Sequence, residues 1–247
     1  IPLVVVHGAS GCGKSSLVLG GLAPRLRAEV PPRWAICEPF TPGADPVARL
    51  IRAIGGGLGP ADGRNERLVA AQKDLGALAR LLRDAELPLF IIVDQFEEVF
   101  TLTDDLQRGR FTAALGAVLE ADTRHRVLLT VRQEFHDKLF GLAGLVSYLK
   151  GGDFSVRPMD AGELRAAIEG PAAKVNLNID RQVVDRLVND VVGQAAAPPL
   201  LQFTLKKLWA NRPDGRNRIT RETLDKVGGP LVALERDINA ALVNYAG

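Results

Sequence analysis

The sequence predicts an α/β fold built on a parallel sheet, followed by an all-α region. Short apolar runs at 3–6, 89–93 and 126–132 lack the polar alternation of half-exposed strands. Helix-length periodic segments separate these runs. From Asp160 onward the pattern is one of helices alone. Strands buried on both faces read as continuous apolar runs, and strands alternating with helices require right-handed crossovers beneath two helical layers.

Element by element, residues 3–6 give a first strand and 15–19 begin a helix that ends near 24–30. RWAICEPF (33–40) reads as a second strand before a Pro/Gly turn, and Asp45 caps a helix through Ile54. GGGLGPADG (55–63) reads as a mobile glycine-rich loop between helices. A helix over 67–84 leads to the third strand at 89–93, and one over 104–121 leads to the fourth at 126–132. DFSVRP supplies a shorter fifth strand ending near Pro158.

DAGELRAAIEGPA starts on a D-x-x-E capping-box pattern and stops at Gly170-Pro171. Asp180 opens a helix with Val183, Val184, Leu187, Val188 and Val191 on one stripe. PPLLQFTLKKLW starts a third helix on proline, with Pro199 expected at the first position, and TRETLDKV gives a fourth. The chain thus divides into 1–157 and 158–247.

At 247 residues, 47% hydrophobic and 24% charged, the chain has a globular composition with no disorder signature. A net charge of +2 announces neither nucleic acid nor an acidic partner, so nucleic-acid contact is not expected. The densest basic stretch, NRPDGRNRIT (211–220), reads as a solvated turn around Pro213-Asp214-Gly215. Cys12 and Cys37 are too few for a disulfide framework and lack metal-ligand spacing, which fits a reducing, cytoplasmic setting. No run approaches the roughly 20 apolar residues of a membrane span. The chain starts directly on a strand, which reads as a boundary inside a longer protein.

VVVHGASGCGKSSLVLGGLAP (4–24) carries Gly8, Gly13, Lys14 and Ser15 in the spacing G-x-x-x-x-G-K-[ST], after a strand and before a helix. That is the context a phosphate-binding loop requires. Backbone N–H groups at a helix N-terminus hold phosphate charge, Lys14 reaches the β- and γ-phosphates, and the Ser15 hydroxyl completes the shell of a Mg²⁺. A glycine-rich turn with an incidental lysine is the plainer alternative. It does not account for strand, loop, Lys-Ser and helix falling together.

At the tip of the third strand, FIIVDQFEE delivers Asp94, with Glu97 and Glu98 close behind. One carboxylate there suits the Mg²⁺ shell and a second suits orienting an attacking water. The alternative is that Glu97 and Glu98 are ordinary acids at a helix start, where negative charge is favourable. Arg132 ends the fourth strand, in reach of a γ-phosphate; its alternative is a salt bridge with Glu134 or Asp137. His7, His125 and His136 share no metal-like spacing and receive no role.

Together GASGCGKSSLVLGGLAP, VDQFEE, TVRQEF, AAIEGPA, PPLLQFTLKKLW and VGGPLVALERDIN resemble the STAND class of signal-transduction ATPases, in particular the novel STAND NTPase type 1 family. The resemblance covers nearly the whole chain. It implies a P-loop NTPase three-layer sandwich over 1–157 and a helical lid over 158–247. It also implies an ATP/ADP switch inside a multidomain signalling or defence protein, with effector or sensor and repeat domains beside it and a nucleotide-dependent homo-oligomer. Carried over, Gly8, Ala9, Ser10, Gly11, Cys12, Gly13, Lys14, Ser15 and Ser16 bind nucleotide. Ser15 and Asp94 hold Mg²⁺, Glu97, Glu98 and Arg132 serve catalysis, and Pro199 approaches the nucleotide from the lid. Two rival readings are an energy-transducing ATPase acting on nucleic acid or protein and a non-hydrolysing scaffold stabilised by nucleotide.

Overall fold

β1 (Leu3–Gly8) opens the chain, and after the glycine-rich loop residues Ser16–Leu22 wind with i→i+5 pairing, Ala23 N–H donating to Val18 O, before α1 (Ala23–Arg27). β2 (Ala35–Ile36) precedes α2 (Pro46–Leu58), α3 (Arg64–Lys73) and α4 (Leu75–Arg83). β3 (Leu89–Val93) is followed by α5 (Glu98–Thr101) and α6 (Asp105–Ala121), and β4 (Arg126–Arg132) by two 3₁₀ segments, Gln133–Gly141 and Val146–Tyr148. β5 (Asp153–Ser155), α7 (Ala161–Lys174), β6 (Asn178–Ile179), α8 (Arg181–Val191), α9 (Ala197–Ala210), β7 (Arg218–Ile219), α10 (Arg221–Val227) and α11 (Pro230–Tyr245) complete it. This computed structural model describes all residues except 61–62, 84, 195, 214–216 and 246–247, and the side chains except also 236 and 240–245. The expected turn at Pro213-Asp214-Gly215 therefore lies partly outside the described residues.

The chain forms two units: Ile1–Ala9 with Gly13–Val156, and Ser10–Cys12 with Arg157–Gly247. In the first, five parallel strands run in the order β2-β3-β4-β1-β5. Strand side chains alternate between two cores. Leu3, Val5, Ile91, Val93, Val127 and Leu129 pack with helices α2, α4 and α6, whereas Val6, Ile92 and Leu128 pack with Val18 and Ala23. Every residue of β3 is buried. Helices on both faces of a parallel sheet make the expected three-layer α/β sandwich.

Among the described residues, the second unit adds to its helices a small parallel pair, Asn178↔Arg218 and Ile179↔Ile219, which the helices-only expectation missed. Two-residue strands carry too little pattern to be read. The α8 stripe of Val183, Val184, Leu187, Val188 and Val191 is buried, and the Asp160–Glu163 capping box of α7 is formed in both directions.

Several boundaries move for identifiable reasons. β2 is shorter than 33–40 because Pro39 has no N–H to donate, and pairing resumes only as a bridge from Phe40 to Val93. α2 continues past Ile54 into the stretch expected as loop. There a Cβ on Gly57 would sit 2.7 Å from Cys37 Sγ, so glycine serves close helix packing rather than mobility. The expected single helix over 67–84 is broken at Asp74, whose carboxylate accepts from Gly76 N–H at 3.0 Å and Ala77 N–H at 2.9 Å. α7 runs through Pro171 to Lys174 because Leu164, Ile168 and Ala172 bury one face across it. α9 starts at Ala197, which puts Pro199 at its third position rather than its first, still inside the turn whose N–H groups have no helical acceptor.

Candidate functional site

The parallel register decides which strand tips meet. Gly8, the first glycine of the loop, pairs with Arg132 on β4, and β4 also pairs with β3, whose last residue Val93 lies opposite Leu129. The loop after β1, Asp94 after β3 and Arg132 at the end of β4 therefore share the carboxyl edge of the sheet, the edge where α/β folds bind ligands.

Lys14 is 8% exposed, with Nζ donating to Gly8 O at 2.9 Å and Ala9 O at 2.8 Å. The ammonium is thus held across the mouth of its own loop. Ser15 Oγ donates to Asp94 Oδ1 at 2.8 Å, across 79 residues of sequence. The same carboxylate oxygen accepts from Thr130 Oγ1, while Thr130 accepts from Gln95 N–H at 2.9 Å. Asp94 is 5% exposed. A buried carboxylate facing two hydroxyls, one of them next to a buried lysine, is an oxygen-donor set suited to a small hard cation beside a phosphate.

The two glutamates separate. Glu97, 7% exposed, accepts from Arg132 Nε at 3.0 Å and from Arg132 N–H at 3.2 Å. The arginine's partner is therefore Glu97, while Glu134 and Asp137 are exposed. Glu98 is partly buried and accepts from Gly43 N–H at 2.8 Å, which fastens α5 to the loop before α2. Thr130 and Gly43 are the site residues sequence reasoning missed. Thr130 carried a signal, as the one polar residue inside VLLTV; Gly43 carried none beyond its Pro-Gly turn.

In the second unit, Gly11 has φ 77°, and a Cβ there would lie 3.3 Å from Pro199 Cγ and 3.4 Å from Ala196 Cα. Conformation and contact both require glycine. Cys12 is 2% exposed. Cys37 is fully buried, and burial pushes its thiol up to about 12.

Residues 1–245 match the family model described as Novel STAND NTPase 1. No curated protein matches the chain in sequence. Among solved structures, ORC2 of Aeropyrum pernix in its ADP form is similar at TM-score 0.67 and 16% identity over 91% of this chain and 61% of its own. The Aeropyrum pernix ORC1 protein in complex with DNA gives TM-score 0.64 and 17% identity over 96% of this chain and 60% of its own. Cdc6p from Pyrobaculum aerophilum gives TM-score 0.62 and 16% identity, over 91% and 59%. The chain thus spans about three fifths of the length of these proteins, and at such identity the likeness is one of fold. Among the described residues no helix is long and apolar enough to cross a membrane.

Proposed function

The chain belongs to the Novel STAND NTPase 1 family, and from that premise we propose that it is an ATP-binding, slowly hydrolysing conformational switch within a multidomain signalling or defence protein of the cytoplasm. The observation that carries the reading is the convergence of Lys14, Ser15 and Asp94, a lysine, a hydroxyl and a carboxylate joined at one strand edge.

Lys14 exchanges its bonds to the Gly8 and Ala9 carbonyls for phosphate oxygens. Ser15 and Asp94 hold Mg²⁺, which when bound supplies the charge that neutralises the phosphates. Arg132, held through Nε by Glu97, keeps its guanidinium oriented toward the transferred phosphoryl group. Glu98, less buried than Glu97, orients the attacking water. Phosphoryl transfer needs little more from protein than such positioning. Gly8, Ala9, Ser10, Gly11, Cys12, Gly13 and Ser16 line the phosphates by backbone and hydroxyl groups. Pro199, grouped with the loop tip in the second unit, reports the nucleotide state to the helices.

A switch requires different affinities for nucleotide in its two states. The test is identification of any nucleotide that co-purifies, with phosphate release measured for wild type and Glu98→Gln. Retained ATP binding with slowed release supports the reading; absence of both nucleotide binding and release refutes it. The likeness to the ORC1 protein in complex with DNA favours one second reading, a nucleic-acid-dependent ATPase. Stimulation of turnover by DNA would select it.

A further inference from the structure

A second cluster lies on the edge of the same sheet and uses none of the residues above. His7 is in β1, Asp153 starts β5, and His136 lies in the 3₁₀ segment after β4. One ligand atom from each lies within 4.8 Å of the other two. Their sequence positions are far apart; the pairing of β5 with β1 and the return of the chain after β4 bring them together.

The hydrogen bonds dispose the imidazoles in one way. His7 Nδ1 lies 2.8 Å from Gln133 Oε1, an acceptor, so Nδ1 carries the proton and Nε2 keeps its lone pair. His136 Nδ1 is 3.6 Å from Asp137 Oδ1, and His136 Nε2 is 2.9 Å from Asp153 Oδ1. The two rings lie with centroids 4.1 Å apart, tilted by 31°. The His136 side chain is 14% exposed and that of Asp153 39%, so an ion has a route in and the imidazole is shielded.

We propose that His7 Nε2, His136 Nε2 and an Asp153 carboxylate oxygen form a binding site for a divalent transition metal ion of the Zn²⁺ class. Two neutral imidazoles and a carboxylate suit Zn²⁺, Co²⁺ or Ni²⁺, whereas Mg²⁺ and Ca²⁺ prefer all-oxygen shells. On loading, the ion replaces the Nε2 proton between His136 and Asp153, and the ring carries its proton on Nδ1 instead, so it remains a neutral imidazole with no net proton lost. Gln133, which accepts from His7 Nδ1, is the outer partner that such a ligand normally needs, and the exposed Asp137 carboxylate adds negative charge 3.6 Å from His136 Nδ1. Because His7 directly precedes Gly8, the ion clips β1, β5 and the segment after β4 at the root of the phosphate loop. A hydrogen-bonded surface pair of His136 and Asp153 explains that contact alone. It does not explain a second imidazole set against the first with its Nδ1 already committed.

The test is Co²⁺ titration of chelator-treated full chain without nucleotide, followed by visible absorption, with Zn²⁺ and Mg²⁺ as competitors. One Co²⁺ per chain is expected, with bands of low-symmetry intensity abolished by Zn²⁺ and untouched by Mg²⁺. Gln133→Ala should weaken binding by about 10–100-fold. His136→Ala and Asp153→Asn should weaken it more than Gln133→Ala does. Circular dichroism melts identify any variant that fails to fold, in which case Gln133→Ala decides. Absence of saturable uptake, uptake unchanged in the folded variants, or competition by Mg²⁺ equal to that by Zn²⁺ would overturn the site.

Discussion

The two units handle charge in opposite ways. In the first, Lys14, Asp94, Glu97 and His125 are buried, and three of them converge on one strand edge. In the second, the buried polar side chains among the described residues are Thr204 and Thr223. Its charges form exposed pairs such as Arg186–Asp190, Arg157–Glu163 and Arg218–Asp180. Burying an ionised group costs several kcal/mol unless it is paired, whereas an exposed pair is worth about 0–1 kcal/mol. The charge held inside the first unit is the costlier kind to bury, and there it is hydrogen-bonded or paired. The charge of the second unit lies in pairs of the less costly kind, over an apolar core of packed helices.

Substitutions can break this contrast. Asp94→Asn should reduce Mg²⁺-dependent turnover on the order of 10²-fold, because the amide retains the Ser15 and Thr130 contacts in part but not the charge. Steady-state phosphate release checks it, and an unchanged rate would remove Asp94 from the site. Glu97→Gln should cost about 1–2 kcal/mol of stability, below the figure for a fully buried pair because Arg132 is 45% exposed. Urea denaturation measures that loss. Arg218→Ala, which removes an exposed partner of Asp180, should cost less than about 1 kcal/mol in the same experiment. If it cost more than Glu97→Gln, the contrast between units would fail.

The smallest effect is a pH dependence. His125 is 1% exposed; burial holds its pKa below the usual value, with Arg124 and Arg126 acting the same way and Asp122 opposing. Its Nδ1 accepts from Leu89 N–H at 2.9 Å, a role for the neutral ring. The unfolded chain takes up this proton first. The contribution is therefore complete above the unfolded pKa of about 6.5 and is lost as pH falls from there through the depressed folded value. Melting temperature should drop from pH 7 to pH 5 more steeply in wild type than in His125→Gln.

What the sequence disclosed follows the range of the physics. β3, β4, the capping box at Asp160 and the α8 stripe were legible, since an apolar run, a cap and a helical period are local patterns, whereas the capping box at Asp104 went unread within the helix expected over 104–121. The glycine-rich turn after β1 was legible for the same reason. The partner of Arg132 was not, because Glu97 is 35 residues away and reaches it only through the pairing of β3 with β4. The His7, His136 and Asp153 cluster is hidden in the same way. Gly55–Leu58 and Pro171 misled because close packing overrides the local preference of glycine and proline.

The most direct test of the central claim is calorimetric titration of ATP with Mg²⁺ into wild type and Lys14→Ala. Lys14 Nζ donates to the Gly8 and Ala9 carbonyls of the loop, so the substitution removes the cation held there, and the melt reports whether the fold survives. Saturable binding by wild type, and affinity at least about 100-fold weaker in a variant with an unchanged circular dichroism melt, is the predicted result. Equal ATP affinity in the two proteins would contradict it and place the nucleotide away from this loop.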